Sequence, residues 1–290
     1  MKGWVLAWVL CLAPSQAWSQ DLPVFPSSIE VVRVDVSVTR GGRAGEGLKA
    51  ADFEVRDNGV LQAVDIVGGA DKPIDAVLAL DVSSSVAGQR LQQLKTATHA
   101  LVDVLRPEDA VTLLTFSDRI QLRVSPAESR ARAHEIIDRT EAQLTTALYD
   151  AAFAALTTTD PLRGRPLVLI FSDGRDVGSW LRPDQVLRVA EASELVVHAV
   201  LSRREGTEVP FLRDLVASTG GQEWRADLGE LRDVMLRALD EFRSRYTLQY
   251  ERHGVAADGW HDLQVRVNLP GAAVRARKGY WQRAPRPATR

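Results

Sequence analysis

Two stretches of this chain contain no polar side chain at all: Ala76-Val77-Leu78-Ala79-Leu80 and Leu167-Val168-Leu169-Ile170-Phe171. A strand with one wet face alternates apolar and polar residues, so a continuous apolar run belongs to a strand covered on both faces. Covering both faces takes two layers of helix, and the helices are then the crossovers between parallel strands. The residues around the two runs supply those layers. Helical spacing is present at Leu91–Leu105, Ala131–Ile137, Ala147–Leu156, Pro183–Glu191, Phe211–Ala217 and Leu228–Phe242. Further strands are expected at Val111–Phe116, Ile120–Val124, Leu195–Leu201 and Glu223–Ala226. Residues 71–243 therefore read as an α/β domain built on a doubly wound, mostly parallel sheet. In the last helix Leu231, Val234, Met235, Ala238 and Phe242 form a stripe, read as the face packed on that sheet.

The flanks have a different period. Val32, Val34, Val36 and Val38 share one face of a strand, with Arg33, Asp35, Ser37 and Thr39 on the other. Phe53 and Val55 begin a second strand, and Asp57-Asn58-Gly59 is a hairpin signal. After the helices, Tyr246, Leu248 and Tyr250 alternate, as do Leu263, Val265, Val267 and Leu269, before a last strand ending at Gly279-Tyr280-Trp281. Residues 27–70 and 244–282 are thus two short β zones. A lone hairpin is marginal in water, so the two are expected to pair into one accessory β domain. The Pro- and Arg-rich tail 283–290 is expected to be disordered.

Compartment follows from the first residues. Lys2, an apolar run from Gly3 to Ala13, Pro14, and small residues at Ala17 and Ser19 match the parts of a secretory signal. Residues 1–19 read as that signal, cleaved after Ser19; the run is short of the roughly 20 residues a membrane anchor needs. Export to the periplasm or the medium is expected, with no membrane span in the mature chain. The single cysteine, Cys11, lies inside the signal behind Leu10 rather than behind a small residue, which disfavours lipidation. The mature protein then has no thiol for disulfides, thiolate metal sites or nucleophilic catalysis. A net charge of -2 and a pI of about 6.2 give no footprint for nucleic acid.

The chemistry gathers at strand ends. Asp81-Val82-Ser83-Ser84-Ser85 follows the first apolar run, and Ser172-Asp173-Gly174 follows the second. Thr145-Thr146 precedes a helix starting Ala147-Leu148-Tyr149-Asp150. Taken alone, Asp and Ser there are ordinary helix caps. Together they matter, because loops at the carboxyl ends of parallel strands converge on one crevice. Carboxylate and hydroxyl oxygens without His or Cys suit a hard cation: Mg²⁺ or Mn²⁺ first, with Ca²⁺ also admissible.

Over residues 71–243 these motifs resemble the von Willebrand factor type A (VWA) domain and its metal-ion-dependent adhesion site. The order D-x-S-x-S, then Thr, then Asp is intact in Asp81, Ser83, Ser85, Thr146 and Asp173. With its flanks, including Asp52-Phe53-Glu54-Val55 and Arg277-Lys278-Gly279-Tyr280, the whole chain resembles a narrower group, the exported VWFA-related family of the acidobacterial type. The resemblance implies an ion held by those five residues and an open position completed by a carboxylate of a protein partner. It implies adhesion-type binding without catalysis. This sequence departs from the family at the second loop, where Leu144-Thr145 stands in place of the usual glycine, so that either Thr145 or Thr146 could supply the ligand.

Other readings are weaker. Gly42-Arg43-Ala44-Gly45-Glu46-Gly47 lacks the Gly-Lys-Ser/Thr ending of a phosphate loop. His99, His134, His198, His253 and His261 show no ligand spacing, and His198, inside an apolar strand, reads as a satisfied core residue. There is no Gly-x-Ser-x-Gly elbow, and Ser83 stands where a haloacid-type phosphatase needs its second Asp. Asp118, Asp150 and Asp176 read as caps or solvated charges. Two alternatives to adhesion stay open: a module for envelope assembly stabilised by its metal, and a Mg²⁺- or Mn²⁺-dependent hydrolase, which lacks a general base beside the motifs.

Overall fold

The computed structural model describes residues 31–160, 163–202 and 209–282. The segment 1–19 read as a signal, the start of the first β zone and the tail 283–290 lie outside the described residues. In chain order the strands are β1 (Val31–Arg40), β2 (Arg43–Ala44), β3 (Phe53–Asp57), β4 (Val60–Gln62), β5 (Asp65–Gly68), β6 (Ile74–Asp81), β7 (Ala110–Phe116) and β8 (Ile120–Val124). They continue as β9 (Arg165–Ser172), β10 (Val196–Ser202), β11 (Glu223–Ala226), β12 (Tyr246–Glu251), β13 (Gly259–Val267), β14 (Ala272–Arg275) and β15 (Gly279–Gln282). The helices are α1 (Gln89–Val104), α2 (Arg130–Asp138), α3 (Leu148–Thr158), α4 (Pro183–Glu191), α5 (Pro210–Ser218) and α6 (Leu231–Arg243).

The central sheet has the order β11-β10-β9-β6-β7-β8. Neighbours are parallel except β8, which runs antiparallel to β7 at one edge. Strands β6 and β9 lie side by side with every residue from Leu167 to Phe171 and from Ile74 to Asp81 buried, as two-sided coverage requires. One apolar layer joins this sheet to α1, α2 and α6 through Leu94, Leu101, Ile137, Val234, Met235 and Phe242. The opposite layer joins it to α3, α4 and α5 through Leu148, Ala155, Val186, Leu212 and Leu215. The stripe on α6 is the sheet-facing side of that helix, and all five of its residues are buried.

The chain enters the sheet in the middle, fills one edge through β7 and β8, then returns to fill the other. The connection therefore changes direction between β6 and β9. Loops leaving the carboxyl ends of those two strands part to opposite faces, which opens a crevice between them.

Strands from the two ends of the chain pair with one another. β1 lies between β12 and β14, giving the order β14-β1-β12-β5, while β15-β13-β3-β4 forms a second sheet. Val32, Val34, Val36, Val38, Leu248 and Tyr250 face Phe53, Val55, Leu263 and Tyr280 across the space between them. The β3–β4 hairpin turns at Asn58-Gly59 with φ of 47° and 82°, the left-handed pair that a two-residue turn demands.

These sheets dock on the central domain through charge and close backbone contact. Arg165 at the start of β9 pairs with Asp35 of β1 at 2.6 Å, both side chains nearly out of water, while its guanidinium lies over the Phe242 ring. A side chain on Gly220 would sit 2.4 Å from the Arg277 nitrogen, so only glycine permits this approach. Among the described residues no helix is long and apolar enough to cross a membrane.

Candidate metal centre at the carboxyl end of the central sheet

Asp81 is the last residue of β6 and is fully buried. One carboxylate oxygen accepts the Ser83 N–H at 2.9 Å, and the other accepts the Ser172 hydroxyl at 2.7 Å. The first of these bonds folds the chain back over the strand end; the second ties β6 to β9 across the crevice. Burial pushes the Asp81 carboxyl above the usual range, the Ser83 and Ser172 bonds oppose that, and the neighbouring Asp173 carboxylate adds to it. The tight turn brings Ser83 Oγ within 3.0 Å of Ser85 Oγ, with Ser83 buried and Ser85 partly so.

Asp173 follows the last residue of β9. Its Oδ1 accepts the Arg175 N–H at 3.1 Å, whereas its Oδ2 is buried and accepts no hydrogen bond. A buried carboxylate oxygen without a protein donor carries a desolvation cost that a bound ion would offset; Asp75 Oδ1, at the far end of β6, is in the same state. Gly174 turns the chain with φ of 84°, and a side chain there would strike Val209 at 2.2 Å.

The second loop is drawn in from the other side. Gln143 N–H donates to Val82 O at 2.7 Å, and the Ser84 hydroxyl to Leu144 O at 2.8 Å, joining it to the first loop. Val177 and Gly178 both donate to Thr146 O at 3.0 Å, joining it to the third. Thr146 is buried and Thr145 exposed. The Leu144-Thr145 departure needs no glycine, since among the described residues only Asn58 among non-glycines has a positive φ.

All five predicted residues thus lie on three loops bonded to each other around the β6/β9 crevice. The acids read from the sequence as caps or solvated charges hold those loops, together with Ser179, which the sequence reading did not single out. Asp176 accepts the Leu148 N–H at 2.7 Å and caps α3 together with Ser179. Asp150 reciprocates, accepting the Trp180 and Leu181 N–H groups at 3.0 and 2.9 Å. Asp118 accepts the Ser117 hydroxyl at 3.0 Å. These three acids are caps and tethers, and the Asp-x-x-Ser spacing of Asp176 and Ser179 was the available signal. His198 is buried, its Nδ1 accepting the Gln222 N–H at 3.0 Å.

The donor set fits a hard divalent ion. It is all oxygen, it contains two carboxylates and three hydroxyls, and one buried carboxylate oxygen has spare acceptor capacity. Among the described residues no group of three or more His, Cys, Asp or Glu converges to hold a metal.

An open α/β sheet with an oxygen-lined crevice at its point of reversal is a frame shared by many proteins, and the fold alone does not set the function. Residues 76–175 match the family model of the von Willebrand factor type A domain. Over that stretch the central domain is similar in sequence to a VWA domain. Solved structures of the same fold include proximal thread matrix protein 1 from the mussel byssus in a form with a zinc-occupied MIDAS motif. It is 18% identical, with a TM-score of 0.55, covering 67% of this chain and 51% of that one. A von Willebrand factor type A protein from Catenulispora acidiphila is 14% identical over 89% of this chain and 75% of its own, with a TM-score of 0.53. The vWF domain of the type V pili tip protein Mfa5 from Porphyromonas gingivalis is 10% identical over 64% of this chain and 98% of its own, at 0.50. The chain spans about half the length of the mussel protein. No curated protein matches it by sequence.

Proposed function

We propose that this is an exported binding protein that engages an acidic residue of a protein partner through a divalent cation. Ser83, Ser85 and Thr146 supply hydroxyl ligands, and Asp81 and Asp173 supply the carboxylates. The observation that carries this reading is the buried Asp173 Oδ2, which has no donor. Thr146 is preferred to Thr145 because it is the buried one of the two. Two carboxylates at most neutralise the ion, and neutral hydroxyls leave it electrophilic toward an incoming carboxylate. Mg²⁺ is the expected ion, with Mn²⁺ able to replace it; the zinc in the mussel protein's site is consistent with a divalent preference. The arrangement asks for binding without turnover. The paired β zones serve as one accessory module beside residues 71–243, and the N-terminal pattern supports export.

The test is a thermal melt of the mature chain in EDTA, then in Mg²⁺, Mn²⁺ or Ca²⁺, beside Asp81→Ala and the two threonine variants. Ligand at 100 times its Kd adds about 2.7 kcal/mol. Stabilisation lost in Asp81→Ala and Thr146→Ala but kept in Thr145→Ala is expected. No shift in any metal would remove the proposal.

A further inference from the structure

Among the described residues the large apolar side chains most open to water are Trp180 at 94%, Leu144 at 75% and Val177 at 70%. Isolated exposed apolar residues are common and need no explanation. These three are not isolated: all sit on the second and third of the loops that frame the crevice. Leu144 O takes the Ser84 hydroxyl, between the two serines of the first loop. Val177 N–H donates to Thr146 O. Trp180 N–H is pinned by Asp150, and the next residue, Leu181, packs into the core under α3. The indole is therefore presented by a fixed backbone, without covering contacts of its own.

The same rim carries positive charge. Arg175 is exposed directly after Asp173-Gly174 and has no ion-pair partner among the described residues. Arg119, on the loop that touches Ala147 through Ser117, has its side chain 79% exposed but is ion-paired with Asp118 at 3.9 Å, which leaves Arg175 as the rim's unpaired cation of the two. A surface of this kind, apolar and cationic around a polar pit, complements an acidic group set among apolar neighbours.

We propose that the partner presents a short segment in which Asp or Glu is flanked by bulky apolar residues. The acid enters the crevice and the neighbours cover Trp180, Leu144 and Val177. This rests on the metal-bridged reading of the crevice and adds the partner's flanking chemistry to it.

The test uses the full mature chain in Mg²⁺ over biosensor surfaces carrying three capped synthetic peptides at equal density: Gly-Leu-Asp-Phe-Gly, Gly-Gly-Asp-Gly-Gly and Gly-Leu-Asn-Phe-Gly. The first is expected to bind about tenfold or more tightly than the second, the scale of an aromatic hot spot. The third should not bind, and EDTA should release the first. Trp180→Ala, a change at a fully exposed position, should erase the advantage of the first peptide while leaving the second unchanged. Equal binding of the first two, or an unaltered preference in Trp180→Ala, overturns the flanking inference while the metal-bridged reading stands. Failure of both acidic peptides in every cation removes that reading and the inference with it. Binding to anionic phospholipid vesicles that depends on Trp180 and persists in EDTA assigns the rim to a membrane and also overturns the proposal.

Discussion

Two buried acids in this molecule are treated in opposite ways. Asp57, inside the paired β sheets, is saturated: Tyr250 and Tyr280 donate hydroxyls to one oxygen at 2.8 and 2.7 Å, and His261 Nδ1 meets the other at 2.7 Å. The imidazole stacks on the Tyr280 ring at 4.6 Å. Burial first, and Asp57 with it, hold both phenols well above their ordinary range; contact with Tyr280 raises Tyr250 further, while the bond from Tyr250 only partly offsets the rise at Tyr280, so both stay protonated as donors. Asp173, at the crevice, has one oxygen bonded and one bare. A network built for stability closes on itself, while one built to receive something keeps an oxygen in reserve.

The largest expected effect breaks the closed network. Asp57→Ala strands three donors in a dry interior and should cost about 3–5 kcal/mol. At roughly 2–4 °C per kcal/mol for domains of this size, the melt should fall by about 10 °C or more. Next is the cation effect at the open network: Asp173→Asn should abolish the gain of about 2.7 kcal/mol from saturating metal. Tyr280→Phe, which removes one bond to a carboxylate while keeping the ring, should cost about 1.5–3 kcal/mol by denaturant titration. In EDTA, by contrast, Asp173→Asn should change stability by less than about 1 kcal/mol, since the altered group accepts only the Arg175 N–H. A loss there as large as that of Asp57→Ala would erase the distinction between the two networks.

The smallest effect is a slope. The Asp109 carboxylate is also out of water; burial raises it, but the Arg243 guanidinium at 2.6 Å and the N–H groups of Ile74 and Arg106 outweigh that and hold it below the usual carboxylate range. Its contribution is present above the unfolded value and is lost as pH falls from about 4 through the lower folded value. Melts between pH 2 and 5 should show this decline, and Asp109→Asn should flatten it.

Local signals carried the central domain and the crevice. The unbroken run Ala76–Leu80 marks β6 without ambiguity, and the acid and hydroxyls that end it name the first loop. Pro183 places the start of α4 at the observed residue. What the sequence left open was set by distance along the chain. Asp57 finds Tyr250, His261 and Tyr280 only after separations of 193, 204 and 223 residues, and nothing local distinguishes it from the hairpin acid it also is. The exposure of Trp180 was equally unreadable, because Trp is as often buried and the decision lies with the backbone bonds to Asp150. The choice between Thr145 and Thr146 likewise waits on which way the loop turns, and that is set by Val177 and Gly178 from the third loop.

Strand β1 has one further consequence. Its main partners arrive late: Arg33 meets Gln249 at a separation of 216 positions. During synthesis β1 must wait, with its apolar side uncovered, until β12 and β14 have been made. Pairing over such a span is slow and leaves an edge open to other chains. The central domain needs no such wait, since β6 to α6 is continuous. Assembly should therefore run from the inside out, with the ends of the chain meeting last and buckling around a domain that is already complete.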